Sequence, residues 1–236
     1  MTIEFRKENL PEFSGESLSD PSGNSLSGSS GNNLPGTSRN ACSDHSSTSL
    51  SDAPFISERD DADTAPRFSV RPACAKDAEA IGRIQAQALE EVLGVASPVD
   101  ASALADQWEQ SLSAPAPEGY QVLVALHAST LVGFALVAPA DPLSLDGGEE
   151  IPAGALIAEL LIERDFTRSG HASRLLAAIA ELSKAENLRA WARPEDEART
   201  KFLHSAGFAP AGIRRTLEKP DGSLLMEHLW WAAVGE

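Results

Sequence analysis

The amino-acid sequence predicts a mixed α/β fold of the α+β class, with helices on both faces of a mostly antiparallel sheet. Three observations lead to this prediction. The folded part contains helical and strand-like segments in the order β-α-α-β-β-β-α-β-α-β-β. Several of its β-rich runs are joined by short polar turns, which are typical of antiparallel hairpins. One strand–turn–helix unit near its middle supplies a helical connection, so that both faces of one sheet are covered.

The first 66 residues form a segment of low complexity. Between Ser14 and Ser51, 14 of 38 residues are serine, and glycine, asparagine, aspartate and proline fill much of the rest. Such a composition buries too little apolar surface to offset the entropy of ordering the chain. We therefore predict a disordered, acidic tail over residues 1–66 and one folded domain over residues 67–236. The simplest interpretation is a solvated tail without a specific role, and a phosphorylated or partner-binding arm is the alternative.

Charge and cysteine content exclude several classes of function. The formal net charge is −16, which argues against nonspecific binding to nucleic acid or to an anionic membrane. The two cysteines, Cys42 and Cys74, match no disulfide framework and no metal-ligand spacing. No apolar run approaches the roughly 20 residues of a membrane span, and the N-terminus lacks a signal-peptide core. We therefore expect a cytoplasmic protein without a metal, a membrane anchor or nucleic acid.

The first half of the domain predicts a strand, two helices and a hairpin. Apolar residues recur at helical spacing from Ala80 to Val92, and Gly94 is a typical helix end. Gly133, inside a β-rich run, indicates a bulge or a close backbone approach. Residues 141–148 are predicted to be a loop. The expected elements are a strand near residues 68–70, helices over 80–92 and 97–113, and strands over 120–127 and 130–139.

The second half adds the strand–turn–helix unit, a strand, a helix and a final hairpin. Asn187 is expected to cap the first of these helices, and Gly207 is expected to end the second in a left-handed conformation. The turn Pro220-Asp221-Gly222 is a strong hairpin signal. The expected elements are strands over residues 155–163, 188–192, 211–218 and 223–232, and helices from 171 onward and over 195–206.

The strand–turn–helix unit, Ala158 to Ala178, predicts an anion site. Its apolar strand runs into the polar turn Thr167-Arg168-Ser169-Gly170, and a helix begins at His171. The first amides of a helix have no partner within the helix, and they point outward where the helix dipole is positive. Phosphate and pyrophosphate groups bind at such positions. Gly170 and Ala172 keep the approach to these amides free of bulky side chains.

Together with the element order and the helix end Phe202 to Phe208, this unit resembles the GNAT superfamily of acyl-CoA-dependent N-acetyltransferases. The resemblance covers about Phe68 to Val234. In that family the turn follows the pattern Gln/Arg-x-x-Gly-x-Gly/Ala and holds the pyrophosphate of coenzyme A. Gly170 and Ala172 match the pattern, whereas Thr167 stands where glutamine or arginine is usual. The strand of residues 188–192 is also similar to the mycothiol synthase branch.

The resemblance implies that acetyl-CoA is the cosubstrate, and it assigns two sets of residues to its binding. The main chain of Leu161 and Ile162, at the end of the strand, would pair with the pantetheine arm. Arg168 would supply the charge that Thr167 lacks, and Arg174 could reach the same region. The turn and the first turn of the helix would hold the pyrophosphate through Thr167, Arg168, Ser169, Gly170, His171, Ala172 and Ser173.

Glu159 is the candidate general base, because it is an acidic residue inside an otherwise apolar strand beside the implied acyl site. It could instead lie on a solvated face or bind a cationic acceptor, and Glu163 is a weaker candidate. Many family members carry a tyrosine four residues before the glycine that follows the last helix, where this chain has Leu203. His204 is the candidate that could replace this proton donor, and direct protonation of the thiolate by solvent is the alternative.

The predicted activity is transfer of an acetyl group from acetyl-CoA directly to a primary amine. The acceptor would be a small molecule or a peptide, and the acidic balance of the chain favours a cationic amine. Two other functions stay open: a non-catalytic acyl-CoA-binding or regulatory module, and an enzyme similar to mycothiol synthase. A homodimer is possible, because domains of this family often pair.

Overall fold

A computed structural model of the chain describes residues 67–94, 99–145, 148 and 150–235. The predicted tail, residues 1–66, lies outside the described residues, as does the predicted start of the second helix at residues 97–98. Within the described part, no helix combines the length and the apolar character needed to cross a membrane.

The predicted helices and strands are confirmed, with small shifts at their ends, two short 3-10 turns at Ala75–Asp77 and Arg164–Phe166, and one larger addition. The addition is a two-stranded hairpin where a loop was predicted, and its strands have only two residues each, too few to produce a pattern. The helices are α1 (Ala78–Leu93), α2 (Ala101–Ser113), α3 (His171–Ser183) and α4 (Glu197–Ser205). The strands are β1 (Phe68–Pro72), β2 (Gln121–His127), β3 (Thr130–Ala140), β4 (Leu143–Ser144), β5 (Glu150–Ile151), β6 (Gly154–Ile162), β7 (Asn187–Ala192), β8 (Ala209–Glu218) and β9 (Leu224–Ala233).

Seven strands form one sheet in the order β1-β2-β3-β6-β7-β9-β8, and only β6 and β7 run parallel. Their pairing ends at Ile157 and Ala190, although β6 continues to Ile162 and β7 to Ala192. β3, on the other side of β6, pairs with it as far as Ile162. The two parallel strands therefore diverge, and a cleft opens in the middle of the sheet.

Helices cover both faces of this mostly antiparallel sheet, as predicted. On one face, Ile81 and Ile84 of α1 and Trp108 of α2 pack against Phe134. On the opposite face, the cluster of buried residues from α3, α4 and the strands includes Leu175, Ile179, Leu203, Ala135, Ile157 and Ala190. We call these the α1/α2 face and the α3/α4 face.

Helix ends follow local chemistry, with one correction to the sequence prediction. Gly94 ends α1 with φ of 87°, and Gly207 follows α4 with the same φ, as predicted. The prediction that Asn187 caps α3 is wrong, because Lys184 holds that position with φ of 50°. Asn187 is instead the buried first residue of β7, and its Nδ2 donates to the carbonyl oxygen of Pro152 at 2.9 Å.

Gly133 allows β3 and β6 to approach each other closely, as the sequence indicated. A Cβ atom at this position would lie 2.6 Å from the carbonyl oxygen of Leu161. The neighbouring ladder with β2 also contains a bulge, since Ala125 pairs with Gly133 and Leu126 with Leu131. The close approach at Gly133 sets the position of β6 relative to β3, and β6 forms one wall of the cleft.

The short β4–β5 hairpin is held by a buried arginine that the sequence did not single out. Arg189 is 4% exposed, and its guanidinium donates to the carbonyl oxygen of Asp141 at 2.7 Å and to the main chain of Ile151 and Pro152. Its Nε also donates to Oδ1 of Asn187 at 3.1 Å. Arg189 alternates with residues of β7 that face α3 and α4, so it projects toward the α1/α2 face.

Candidate active site

A bulge in β6 sets the direction of the side chains around the cleft. Leu136 pairs with Glu159 and Val137 pairs with Ile157, so Ala158 is the extra residue. The bulge adjoins the position where pairing with β7 stops. After it, Leu160 and Ile162 pack on the α3/α4 face and Leu161 packs on the α1/α2 face. Glu159 therefore projects toward the α1/α2 face, because alternate residues of a strand share a face.

The main chain of β6 offers hydrogen-bonding groups to the cleft at alternate residues. The amide of Glu163 donates to Val132 of the β3 side at 2.8 Å. Bonded pairs alternate along an antiparallel ladder, so Leu161 also directs its main chain to β3. Leu160 and Ile162 direct theirs to the cleft. Of the two residues whose main chain was predicted to pair with the pantetheine arm, Ile162 directs its main-chain groups to the cleft and Leu161 directs them to β3. Leu160 was missed, because main-chain direction depends on strand register.

The turn before α3 brings several backbone amides together. The amides of Phe166 and Thr167 are bonded to preceding carbonyl groups, and α3 begins at His171. Arg168 has φ of 61° and Gly170 has φ of 82°, so the chain curls tightly between them. The first backbone bond of α3 comes from Arg174 to Gly170 at 3.2 Å. The preceding amides, those of His171, Ala172 and Ser173, therefore point out of the helix, where its dipole is positive.

Side chains of the turn hold its shape and leave its outer surface open. The hydroxyl of Thr167 donates to the carbonyl oxygen of Arg164 at 2.9 Å, and the hydroxyl of Ser169 donates to that of Phe166. Thr167 and Arg168 are exposed. Gly170 suits its position because φ of 82° strains any residue with a Cβ atom. The arrangement fits a diphosphate bound by amides, with arginine charge beside it.

Arg174 lies next to this turn. Its Nη1 donates to the carbonyl oxygen of Ser169 at 3.4 Å, and its Cζ lies 4.4 Å from the centre of the Phe68 ring. The guanidinium is thereby held near the amides by an aromatic ring, which is a favourable position for a cation. Both arginines singled out from the sequence thus lie at the turn.

The side chain of His171 packs behind the turn. It is 1% exposed, and its ring lies 5.2 Å from Phe68, 5.6 Å from His127 and 6.3 Å from Phe166, measured between ring centres. Its Nε2 is buried and has no hydrogen-bond partner among the residues that the structure describes. Burial lowers the pKa of His171, and the neighbouring His127 and Arg174 act in the same direction. At neutral pH the imidazole is therefore an uncharged ring packed among aromatic side chains, and the backbone amide of His171 is the group that faces outward.

Glu159 lies among charged and aromatic side chains from neighbouring strands. Burial raises its pKa and Glu227 adds to the effect, whereas Arg199 and Arg215 oppose it. Arg215 donates to Glu227 at 2.7 Å, and its Cζ lies 4.4 Å from the centre of the Trp191 ring. A half-buried carboxyl with a raised pKa, facing a cleft, has the properties of a general base. These charged partners come from α4, β8 and β9, and no local sequence signal marks them.

Glu163 and His204 have different surroundings. The carboxylate of Glu163 forms an ion pair with Arg83 of α1, so it has a partner outside the cleft. His204 is on the exposed side of α4, and Leu203 beside it is 1% exposed and packs in the α3/α4 cluster. The helix face that carries Leu203 therefore approaches the sheet, and the one that carries His204 faces solvent.

Arg199 of α4 spans the cleft, and sequence reasoning missed it. Its Nε donates to the carbonyl oxygen of Trp191 in β7 at 3.0 Å, and its Nη1 donates to that of Leu160 in β6 at 3.4 Å. The strands on either side of the opening are thus linked by one guanidinium. Among the described residues, no group of three or more His, Cys, Asp or Glu side chains could hold a metal ion.

Comparison with solved structures finds the same fold. The ribosomal-protein-alanine N-acetyltransferase from Brucella melitensis is similar over 70% of this chain and 99% of its own, with 22% identity and a TM-score of 0.54. The yncA protein from Salmonella typhimurium, whose structure contains acetyl-CoA, is similar over 72% and 96%, with 19% identity and a TM-score of 0.51. An N-acetyltransferase from Staphylococcus aureus Mu50 is similar over 72% and 100%, with 17% identity and a TM-score of 0.54. At sequence identities of 17% to 22%, this structural similarity establishes the fold alone.

Sequence comparison establishes the family. No curated protein sequence matches the chain. The model of the acetyltransferase (GNAT) family matches residues 86–208, which is more than half of the chain. The match extends from α1 to Phe208 after α4, so it includes the bulged strand, the cleft and the anion-binding turn. The chain therefore belongs to the GNAT family of acetyltransferases, enzymes that transfer an acyl group from acyl-coenzyme A.

Proposed function

We propose that the protein transfers an acetyl group from acetyl-CoA directly to a primary amine of a small molecule or a peptide. The observation that carries the proposal is the continuity between the anion-binding turn and the cleft. The turn follows β6 within a few residues, and β6 forms one wall of the cleft. A ligand whose diphosphate binds at the turn can therefore extend an arm along β6 to Glu159.

In this proposal, the chain binds acetyl-CoA, the acetyl donor, at two places. The amides of Ser169, Gly170, His171, Ala172 and Ser173 bind the pyrophosphate. Arg168 adds charge at the place where Thr167 replaces the usual glutamine or arginine. The cleft-facing main chain of Leu160 and Ile162 pairs with the amide groups of the pantetheine arm, in the way first assigned to Leu161 and Ile162.

Glu159 is the proposed general base. Direct transfer requires that the attacking amine lose a proton as its nitrogen bonds to the acyl carbon. A carboxyl whose pKa is raised by burial accepts that proton more readily than an exposed one, directly or through one water molecule. His204 stays a prediction as a proton donor, and its exposed position does not support direct contact with the cleft.

Turnover of acetyl-CoA with a panel of primary amines tests the proposal, with release of free thiol as the measurement. The panel should include polyamines, peptide N-termini and an aminosugar thiol precursor, because the last would reveal an activity like that of mycothiol synthase. Glu159→Gln is expected to lower kcat by about 100-fold or more. An unchanged rate for this variant from pH 6 to 9 would remove Glu159 as the base.

A non-catalytic acyl-CoA-binding module is the second candidate, and Leu203 favours it because leucine cannot donate a proton. Calorimetry with coenzyme A separates the two functions. If the coenzyme binds but no amine leads to thiol release, the protein is a binding module. We also propose a cytoplasmic location and a homodimer, which fractionation and light scattering test.

A further inference from the structure

Acyl transfer leaves negative charge on the sulfur of coenzyme A, and this chain lacks the expected residue to receive it. Leu203 occupies the position of the proton donor, is 1% exposed, and packs in the α3/α4 cluster. A thiol has a pKa of about 8.5, so a thiolate can leave without protonation if a positive charge stabilises it. A cation that reaches the cleft could therefore take the place of the missing proton donor.

Arg199 meets this requirement. It precedes Leu203 by four residues on α4, so the two side chains lie on the same side of the helix. Its guanidinium reaches both walls of the cleft, at Trp191 in β7 and at Leu160 in β6. The bond to Leu160 places the cation at a main-chain group that faces the cleft, one residue after Glu159.

The guanidinium of Arg199 forms no close ion pair with another described residue. In the part of the chain that the structure describes, none of the ion pairs within 4.0 Å involves Arg199. Its two hydrogen bonds end on neutral carbonyl oxygens and use two of its five N–H groups. The other charged groups around Glu159 are Arg215 and Glu227, which pair with each other at 2.6 Å. Among the described residues, Arg199 is therefore the cation near Glu159 that forms no close ion pair, and its charge acts on the Glu159 carboxylate itself, whose pKa it lowers.

We infer that Arg199 is a catalytic residue that stabilises the leaving thiolate of coenzyme A. This inference rests on the proposed function. The amine nitrogen forms a bond to the acyl carbon, the carbon–sulfur bond breaks, and its electron pair stays on sulfur. Glu159 accepts the proton of the amine. Arg199 stays protonated throughout, because an arginine does not give up its proton in proteins. The thiolate takes a proton from solvent after it leaves the cleft.

The alternative is a structural role, in which Arg199 only links β6 to β7. The thiol pKa of bound coenzyme A separates the two, because a structural link would not change it. This pKa can be measured on the full-length protein from the ultraviolet absorbance of the thiolate as the pH is raised. We expect it to lie about one to three pH units below that of free coenzyme A. An unchanged value in the wild-type protein would overturn the inference.

Variants then assign the effect to one residue. Arg199→Met should return the thiol to its free behaviour, and Arg199→Lys, which keeps the charge, should retain part of the shift. Arg193→Met is the matched control, because Arg193 is a nearby half-buried arginine that faces Asp196 at 4.0 Å. Affinity for desulfo-coenzyme A should be equal in wild type and Arg199→Met. If Arg199→Met keeps the wild-type thiol pKa, the inference is wrong.

Two further outcomes keep this inference separate from the proposed function. If the wild-type protein turns over acetyl-CoA but leaves the thiol pKa unshifted, only the role of Arg199 fails. If it does not bind coenzyme A, the proposed function fails and the role of Arg199 fails with it. Should Arg199→Met not fold, the wild-type titration and Arg199→Lys still decide the question.

Discussion

The buried imidazole of His171 should make the stability of the domain depend on pH. Burial lowers the pKa of His171, and its Nε2 has no partner that would favour the charged form. The unfolded chain therefore binds a proton at a higher pH than the folded chain. The contribution of His171 is fully present above the unfolded pKa of about 6.5, and it is lost as the pH falls toward the lower, folded value. His171→Phe, which keeps an aromatic ring, should remove this dependence.

The size of the effect follows from one proton. Uptake of one proton on unfolding changes the free energy of unfolding by at most about 1.4 kcal/mol per pH unit. Between pH 6.5 and 5.5 the wild type should therefore lose up to about 1 kcal/mol more than His171→Phe, which corresponds to at most roughly 2–4 °C in Tm. At pH 7.5 the variant should be as stable as wild type or more so by about 1 kcal/mol, because an unpaired buried nitrogen is gone.

Urea denaturation of the full chain at pH 7.5, 6.5 and 5.5 provides the measurement. His204→Asn is the matched control, because it removes a histidine whose side chain is exposed. Glu159 changes stability in the opposite direction, since its raised pKa means that the folded chain binds its proton at the higher pH. That contribution is common to wild type and His171→Phe and cancels in their difference. Parallel curves for the two proteins would refute the reasoning.

Two other predictions concern the frame of the site. Gly133→Ala should lower stability by about 1–3 kcal/mol, because the new Cβ would lie 2.6 Å from the carbonyl oxygen of Leu161. Its control is Gly235→Ala, where nothing lies within 4 Å, and equal melting temperatures would contradict the prediction. Asp77→Asn should cost about 2 kcal/mol near pH 7, because the Asp77 carboxylate accepts two bonds from Arg71 at 2.7 Å. Burial alone would raise the pKa of Asp77, but its bonds from Arg71 and from the amide of Cys74 lower it, so the cost should shrink as the pH falls through this lowered pKa. A cost that stays constant in urea denaturation as the pH is lowered would refute this.

The elements could be predicted from sequence because their signals are local. The helix from His171 and the helix ends at Gly94 and Gly207 depend on residues within a turn or two, and all three are confirmed. Asn187 was misassigned because its partner Pro152 lies far away in the chain. The β4–β5 hairpin was missed because two-residue strands leave no periodicity, and the contacts of Arg189 that hold it are also distant in sequence.

The same contrast between local signals and contacts that are distant in sequence applies to the candidate site. The amides around Gly170 could be located because a strand, a turn and a helix start are contiguous in sequence. The direction of the main chain in β6 depends on the bulge at Ala158 and on the register with β3, so Leu161 was chosen where Leu160 faces the cleft. No sequence pattern marks Arg199, because its hydrogen bonds reach two strands, β6 and β7, that diverge beneath α4.

On the proposed mechanism, charge balance in the cleft would allow acyl transfer without a proton donor at Leu203. Arg215 and Glu227 neutralise each other, which leaves the carboxylate of Glu159 and the cation of Arg199. On the proposed mechanism, Glu159 becomes neutral as it accepts the amine proton, and a thiolate appears beside Arg199. The sum of charges is zero before and after the transfer, so no uncompensated charge is created in a poorly solvated place. The balance holds only for an amine that enters as the neutral base. An acceptor that binds as an ammonium ion must first give its proton to water, and its rate should then increase with pH up to the pKa of the free amine.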